Sequence, residues 1–357
     1  MKQTIIHFIY NLGRGGAETM LVQVLRELKE FRNIVVTLQP DNHFENELVC
    51  DKYICLNQQR LRAFPVAVSK LRKIIKKYQP DLVHSHLPLS NFIARLATPS
   101  GIPLITTIHT SIATTADYKK WYFRLLDKLT YQFKRSTIIS VSKGALKDYF
   151  SVLKLKPCKA FILYTFVDIA QYREKPTPHS GEVLKMISVG SLRFPKNYTY
   201  LIEAFRKLKN ENIELSIYGK GPLQEKIQAS INQSNVKIAL KGQVENIQEV
   251  LPQYDLFVMA SLYEGFSLSV LEAMAMHMPL LLSNIPSFRE QCEDCAIYFD
   301  LNDTNDFIQK LKYCIEHKKE LLQKTDQAYQ KVINNFTLEH HMAGLRNIYS
   351  EVLNEKL

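Results

Sequence analysis

Short runs of β-branched and other apolar residues recur along the whole chain, and stretches with helical periodicity separate them. After one such run, Leu201, Phe205 and Leu208 recur at i, i+4 and i+7, which is the spacing of one helix face. This alternation is typical of parallel sheets covered by helices on both faces, so we predict an α/β fold with two doubly wound sheets. The predicted strands are residues 4–10, 33–39, 81–86, 103–109, 136–142 and 159–164 in the first half, and 184–192, 213–219, 236–242, 256–261, 279–284 and 296–300 in the second.

The segment YREKPTPHSGE, residues 172–182, interrupts this pattern. It is rich in proline and polar residues and has no apolar period, which is typical of a linker. We therefore predict two Rossmann-like domains, residues 1–170 and 171–337, with the last helix, about 338–357, packing back on the first domain. Ligands of such sheets bind at the carboxyl ends of the strands, here in a cleft between the domains.

The composition is that of an ordinary globular protein, with 357 residues of which 46% are hydrophobic and 23% charged. No apolar run approaches the roughly 18–20 residues that cross a bilayer, and the start, MKQTIIHFIY, reads as a first strand and not as a signal peptide. Cys292 and Cys295 have CxxC spacing without a second pair, so buried or incidental thiols are favoured over a redox pair. No cluster with metal-ligand spacing is evident, and we expect no metal.

The net charge of +11 is concentrated in the first half, where residues 1–170 carry +13 and the remainder −2. Such a half favours an anionic partner, which could be nucleic acid, a membrane surface or a phosphorylated substrate. No nucleic-acid module is recognisable, which argues against the first. In residues 116–135, aromatic residues and leucines recur at helical spacing with Lys119, Lys120, Arg124 and Lys128 between them. Two interpretations stay open: an apolar stripe packed on the sheet, or a helix at a membrane interface.

Glycine turns follow three of the predicted strands. In NLGRGGAETM, residues 11–20, three glycines precede a helix and form either an anion cradle or only a tight turn. In VGSLRFPKN, residues 189–197, Arg193 and Lys196 follow a strand, where two cations neutralise a diphosphate or are merely solvated. The third turn is YGKGP, residues 218–222.

The stretch SLYEGFSLSVLEAMA, residues 261–275, carries two glutamates, Glu264 and Glu272, in apolar and hydroxylic surroundings. Gly265 supplies a turn and Ser267 an N-cap, so we expect the N–H groups of Phe266, Ser267 and Leu268 to be open to an anion. A carboxylate on each side of an anion site fits a ligand with phosphate between two sets of hydroxyls, such as a nucleotide sugar. The alternative is a pair of glutamates satisfied by backbone caps.

This stretch resembles the E-x7-E segment of the retaining glycosyltransferases of family 4, which have the GT-B fold of two Rossmann-like domains facing a central cleft. The likeness extends along nearly the whole chain. It includes GGAE at 15–18, VSKGALKDY at 141–149, VGSLRFPKN at 189–197 and SNIPSFRE at 283–290.

The resemblance implies a donor site in the second domain. Glu272 would accept hydrogen bonds from the ribose hydroxyls, and Glu264 would hold hydroxyls of the transferred sugar. Lys196 would bind the diphosphate and stabilise the leaving group. Arg193 would supply a second cation, since Ser191 stands where the family often has arginine. The remaining donor-binding residues would be Gly265, Phe266, Ser267, Gly190 and Gly219.

The resemblance also implies an acceptor side in the first domain. His109 looks like the family's histidine that faces the sugar and the acceptor. His86 is a lesser acceptor-side candidate, and His84 is expected to be structural. Further expected contacts are Gly15, Gly16 and Glu18 in a diphosphate or acceptor loop, and Lys119, Lys120 and Arg124 on the acceptor side.

The function implied is a retaining, metal-independent transfer of a hexose-type sugar from a UDP- or GDP-sugar to an acceptor hydroxyl, with no cofactor beyond the donor substrate. We expect the acceptor to be a lipid-linked saccharide of bacterial capsule, O-antigen or lipopolysaccharide biosynthesis. The enzyme would be cytoplasmic and peripheral to the inner face of the membrane, and nucleic acid would not be a partner. The alternatives are a catalytically silent sugar-nucleotide-binding protein, or another GT-B enzyme such as a nucleotide-sugar epimerase.

Overall fold

The structure is a computed structural model that describes residues 2–13, 15–58, 64–113, 115–172, 183–208 and 211–355. The chain divides into two compact units: Met1–Thr165 with Leu338–Leu357, and Phe166–Thr337. We call them the first and the second unit. The sequence places the division between residues 170 and 171, and residues 173–182 of the predicted linker lie outside the described residues.

The first unit contains a seven-stranded sheet in which each paired strand runs parallel to its neighbour. The strand order is β3-β2-β1-β4-β5-β6-β7. All six strands predicted for this half are confirmed, and only β3 was missed. The strands are Thr4–Ile9 (β1), Arg32–Thr37 (β2), Lys52–Cys55 (β3), Leu82–His86 (β4), Leu104–Ile108 (β5), Thr137–Ser140 (β6) and Ala160–Ile162 (β7).

Helices cover both faces of this sheet, and the side chains on both sides of β1, β2 and β4 are therefore buried. Ile6, Phe8 and Val83 point into one core, whereas Ile9 and Val35 point into the other. The helices are Gly16–Glu27 (α1), Phe64–Tyr78 (α2), Pro88–Ala97 (α3), Ala116–Lys119 (α4), Trp121–Phe133 (α5), Lys143–Leu153 (α6) and, from the end of the chain, Leu338–Asn354 (α14).

The segment predicted as one helix over residues 116–135 is divided, so that expectation was wrong. Lys120 has an extended backbone, with φ −79° and ψ 117°, and separates α4 from α5. Tyr118 of α4 is buried and its hydroxyl donates to Asp127 of α5. The break therefore folds the first turn of the segment back onto the side of the second helix.

The second unit contains a six-stranded parallel sheet of order β10-β9-β8-β11-β12-β13. All six strands predicted for this half are confirmed. The strands are Leu184–Val189 (β8), Ile213–Tyr218 (β9), Ile238–Gly242 (β10), Leu256–Met259 (β11), Leu280–Ser283 (β12) and Ile297–Phe299 (β13). The helices are Tyr198–Lys207 (α7), Gln224–Ser234 (α8), Ile247–Val250 (α9), Leu268–Ala275 (α10), Pro286–Cys292 (α11), Thr304–Glu316 (α12) and Lys318–Asn335 (α13).

Each sheet has one point where the strand order reverses. In the first unit it lies between β1 and β4, and in the second between β8 and β11. Loops that leave neighbouring strands in opposite directions open a crevice there, which is the usual ligand position in open α/β sheets. The predicted site residues of the second unit follow β8 and β11, except Gly219, which follows β9, and His86 ends β4.

Among the helices that the structure describes, none has the length and apolar character needed to cross a bilayer.

The CxxC pair consists of two free thiols, of which Cys292 is buried and Cys295 half-buried. Burial raises the pKa of both thiols, whereas a redox pair needs a low-pKa thiolate.

Candidate active site

An ion pair joins the two loops at the strand-order reversal of the second unit. Lys196 ends a short 3₁₀ helix, Phe194–Lys196, that follows β8, and Glu264 lies in the loop between β11 and α10. Their side chains meet at 2.7 Å between Nζ and Oε1, with only 15% and 16% of the side chains exposed. The Ser261 hydroxyl donates to the same oxygen at 2.8 Å. The structure thus places Lys196, the residue predicted to bind the diphosphate, in direct contact with Glu264, the residue predicted to bind the sugar.

Glycine is required beneath this ion pair. A Cβ on Gly190 would lie 2.8 Å from Cε of Lys196 and 3.2 Å from its Nζ, so a larger residue would displace the lysine. Gly219 has φ +145°, and a Cβ there would meet the carbonyl oxygen of Gly190. Tyr198, at the start of α7, donates from its hydroxyl to that same carbonyl at 3.0 Å. The predicted donor residues Gly190 and Gly219 are therefore neighbours that support Lys196.

Arg193 differs from Lys196 in its surroundings. It precedes the 3₁₀ helix and its side chain is exposed. Within the described part of the chain its guanidinium makes no ion pair or hydrogen bond. The structure does not bring Arg193 to Glu264, and it leaves the guanidinium available to an anion from solvent.

Glu272, on the second turn of α10, is the second predicted donor carboxylate. It is half-buried, and the hydroxyl of Tyr172 donates to its Oε1 at 3.0 Å. Burial raises the pKa of Glu272 to about 7, and the Tyr172 hydrogen bond lowers it only in part. Tyr172 was missed because it belongs to the segment read as a linker, and no local pattern distinguishes it there.

The expectation that the N–H of Ser267 is open to an anion was wrong. That N–H donates to Oε1 of Gln291 at 3.0 Å, and Nε2 of Gln291 donates back to the Ser267 carbonyl at 2.8 Å. Ser267 occupies the N-cap of α10, but its side chain does not cap the helix. Gln291 is fully buried on α11, one strand further along the chain, so the sequence around Ser267 holds no signal for this bond. Gly265 and Phe266 are also buried.

In the first unit, His86 and His109 are hydrogen-bonded to each other. His86 ends β4 and His109 follows the neighbouring strand β5, and their Nδ1 and Nε2 atoms lie 3.3 Å apart. Burial lowers the pKa of His109 to about 3 and that of His86 well below its usual value. Both rings are therefore neutral near pH 7, and His109 acts as a hydrogen-bonding group and not as a cation. Leu87, directly after His86, has φ +72°, a strained value of the kind that occurs at functional turns.

The fold also brings a third histidine, His7, to the two histidines of β4, His84 and His86. His7 of β1 pairs in register with His84 of β4, and one ring nitrogen each of His7, His84 and His86 lies within 4.8 Å of the others. The spacing of these histidines in the sequence does not reveal the cluster, because strand register is not visible there. Both nitrogens of His84 are taken, by Tyr349 and Thr107 at 2.7 Å each, and the adjoining cavity is about 20 Å³. The cluster thus fits a polar core network better than a three-ligand metal site.

The predicted glycine loop after β1 carries its own carboxylate. Gly15 is the N-cap of α1 and Gly16 its first residue, and a Cβ on Gly15 would run into the carboxylate of Glu18. A carboxylate in the first turn interacts favourably with the helix dipole but repels a second anion.

The three predicted acceptor-side cations lie on α4, α5 and the residue between them. Lys119 and Lys120 are exposed, and Lys120 pairs with Asp117 at 3.5 Å. Arg124 donates from Nε to the Tyr118 carbonyl. Within the described residues, no hydrogen bond or ion pair connects these cations with His86 or His109.

Two protein-family models match the chain in succession. The model described as Glycosyltransferase Family 4 matches residues 14–171, and that described as Glycosyl transferases group 1 matches residues 171–332. Together they extend over every predicted site residue and over every strand of the two sheets except β1.

Similar proteins share this assignment. A 4-alpha-N-acetylgalactosaminyltransferase of Campylobacter jejuni, named for N-acetylgalactosamine-N,N'-diacetylbacillosaminyl-diphospho-undecaprenol, is 27% identical over 87% of this chain and 90% of its own. An Escherichia coli UDP-Gal:alpha-D-GlcNAc-diphosphoundecaprenol alpha-1,3-galactosyltransferase is 24% identical over 85% and 83%. Among solved structures, Anabaena HepE in complex with UDP-glucose superposes with a TM-score of 0.86 at 15% identity, over 98% of this chain and 99% of that one. The chain therefore belongs to the glycosyltransferases of the family 4 type and has the GT-B fold.

Proposed function

We propose that this glycosyltransferase moves a hexose-type sugar from a nucleoside-diphosphate sugar, a UDP- or GDP-sugar, to a hydroxyl of a lipid-linked saccharide, with retention of anomeric configuration. The observation that carries the proposal is the contact of Lys196 with Glu264 above Gly190. In a nucleotide sugar the hexose and the diphosphate are adjacent, so the residues that bind them must be adjacent as well.

The proposed roles follow from charge. Lys196 and the exposed Arg193 stabilise negative charge that develops on the departing diphosphate, and Glu264 accepts hydrogen bonds from sugar hydroxyls. Glu272 accepts hydrogen bonds from the ribose in its ionised form. Lys196 exchanges part of its contact with Glu264 for the phosphate oxygens when the donor binds.

The proposed reaction is a displacement on one face of the sugar. The acceptor oxygen forms a bond to the anomeric carbon while the bond from that carbon to the β-phosphate oxygen breaks. The acceptor proton passes to the departing diphosphate, so the products are a glycoside and a nucleoside diphosphate. Since Lys196 and Arg193 supply the cationic stabilisation, we propose that the reaction needs no divalent metal.

The proposed acceptor rests on the relatives and on charge. Two relatives carry names that specify undecaprenyl-diphosphate saccharides, and the excess positive charge of this chain lies in residues 1–170. A lipid diphosphate at the inner face of the cell membrane matches that charge. We therefore propose that the enzyme works in the cytoplasm, peripheral to the membrane, in surface polysaccharide biosynthesis.

The test is a donor panel. Thermal shift and nucleoside-diphosphate release are measured with UDP-, GDP- and ADP-sugars, with extracted lipid-linked saccharide as acceptor and with and without EDTA. We expect one donor to stabilise the wild type, and its turnover to survive EDTA. Glu272→Ala should lose the stabilisation, whereas Glu225→Ala, which removes an exposed glutamate of the same unit, should keep it.

Three outcomes would contradict parts of the proposal. No shift with any donor at millimolar concentration would overturn the donor site. A shift without turnover on any acceptor would identify a silent sugar-nucleotide-binding protein. Loss of turnover in EDTA with recovery by a divalent metal would overturn metal independence.

The raised pKa of Glu272 predicts a pH-dependent donor affinity. Below about pH 7 the unliganded protein carries a protonated Glu272, which has lost acceptor capacity. The Kd of a UDP-sugar should therefore rise as the pH falls, by about tenfold between pH 8 and pH 6, since only the ionised fraction binds fully. Isothermal titration with UDP-glucose measures this, because its diphosphate diester does not titrate in that range. Glu272→Gln should bind weakly at both pH values, and an unchanged pH dependence in that variant would assign the titration elsewhere.

A further inference from the structure

Helix α5 presents its apolar side to solvent. Of the eleven large hydrophobic side chains that are exposed among the described residues, five lie on this one helix. They follow helical spacing and form one stripe, consisting of Trp121 at 73% exposure, Tyr122 at 52%, Leu125 at 44%, Leu129 at 53% and Phe133 at 70%. Contiguous exposed apolar patches on a folded protein mark interaction surfaces.

The opposite side of α5 faces the protein interior, and it combines polar residues with apolar ones, Phe123 and Leu126, which pack in the core of the first unit. Its buried residues are Asp127, Thr130 and Tyr131, and Asp127 forms an ion pair with Arg95 of α3 in which the side chains are only 2% and 1% exposed. Rotation of α5 to bury the stripe would remove Asp127 from Arg95 and leave two charges unpaired in the core. The buried ion pair and this apolar packing together therefore hold the stripe outward. Of the two interpretations that the sequence leaves open, the packing of this stripe on the sheet is therefore wrong.

Cations border the stripe. Lys119 and Lys120 lie at its N-terminal end, and Arg124 and Lys128 lie on one flank of the same helix. An apolar stripe with aromatic residues at both ends and cations beside it is the pattern of helices that lie in a membrane interface. A protein partner would instead require a groove that receives a single convex helix of about 20 Å.

We propose that α5 is a membrane-docking surface, which lies in the interface of a bilayer with anionic headgroups. The five stripe residues enter the acyl boundary and the bordering lysines and arginine contact the headgroups. The proposal does not rest on the donor site or the acceptor assigned above, because vesicle binding is measured without either.

The chain offers a specific reporter, since Trp121 is its only tryptophan. Fluorescence of the full-length protein is recorded with phosphatidylcholine vesicles and with vesicles of phosphatidylcholine and phosphatidylglycerol. With the anionic vesicles at low ionic strength we expect a blue shift of the emission and quenching by brominated acyl chains. With phosphatidylcholine alone, or in high salt, binding should be much weaker because the headgroup attraction is lost or screened.

Matched variants test whether vesicle binding depends on the stripe or on any exposed apolar surface. Leu125→Ser/Leu129→Ser should weaken vesicle partition about tenfold or more. The control Ile315→Ser/Leu322→Ser removes two side chains of similar exposure, 38% and 50%, from the second unit and should leave partition unchanged. Lys119→Gln/Lys120→Gln should weaken binding to anionic vesicles, whereas Lys226→Gln/Lys241→Gln should not.

Other outcomes would overturn the proposal. Vesicle co-sedimentation without a Trp121 shift would mean that charge alone attracts the protein and that the stripe stays in water. A blue shift that needs no lipid and grows with protein concentration would mean that a second copy of the chain covers the stripe. If the stripe variant and its control lose vesicle partition equally, α5 is not the docking surface.

Discussion

Lys196→Ala is expected to lower kcat/KM for sugar transfer by about 10²–10³-fold, because it removes a fixed charge that stabilises the leaving diphosphate in the transition state. The lysine is held for this role by the Glu264 carboxylate at 2.7 Å and by the bare backbone of Gly190 beneath it. Initial rates of nucleoside-diphosphate release at several donor concentrations give kcat and KM separately. A loss that lies mainly in kcat would indicate a contact made in the transition state, and a loss confined to KM would indicate uniform binding.

Three variants control this experiment. Lys196→Ala/Glu264→Gln removes the carboxylate charge that the single variant leaves without its cation. Lys196→Arg keeps the charge but replaces a compact ammonium with a planar fork, so it should recover part of the rate. Lys241→Ala removes an exposed lysine of the same unit and should have no effect. A Lys196→Ala enzyme with nearly wild-type kcat/KM would refute the proposed role.

The donor-side elements are predictable where the signal is local. Every strand in the second unit was predicted, because each is a short run of apolar residues that ends in a turn, and the loops after β8 and β11 follow directly from that. The partners of the site residues are not local. Gln291 reaches Ser267 from 24 positions away and Tyr172 reaches Glu272 from 100 positions away. Such contacts depend on strand order, which periodicity does not encode.

The first unit shows the same limit on a larger scale. Strand β3, with the sequence KYIC, is half-exposed at the sheet edge and too short to show an alternating pattern. Periodicity identified α5 as amphipathic but left open whether its apolar side packs on the sheet or lies at a membrane interface. The outcome depends on Arg95, whose sequence context on α3 does not reveal its buried partner. A buried charge can therefore reverse the orientation that an amphipathic pattern predicts.

Asp127→Ala is expected to lower the free energy of unfolding of the first unit by about 3–5 kcal/mol, because it leaves the fully buried Arg95 guanidinium without its counter-charge. The same change removes the acceptor for the hydroxyl of Tyr149, at 2.7 Å, and for that of Tyr118. Urea unfolding followed by far-UV circular dichroism measures this loss, because Trp121 is 73% exposed and its emission changes little on unfolding. Asp148→Ala, also on this unit but at its half-exposed surface, serves as the matched control and should cost less.

The double variant Arg95→Leu/Asp127→Leu distinguishes the effect of the ion pair on the stability of the first unit from its effect on the orientation of α5. Replacement of both charges by apolar residues is often neutral or stabilising, so this variant should unfold at a higher urea concentration than Asp127→Ala. It also removes the charged contact that holds this side of α5 inward and leaves only the packing of Phe123 and Leu126 to do so. Because burial of the stripe then costs no unpaired charge, we expect Trp121 to become less accessible to iodide quenching and vesicle binding to weaken. A stable double variant with unchanged Trp121 accessibility would mean that packing, and not the ion pair, sets the orientation of α5.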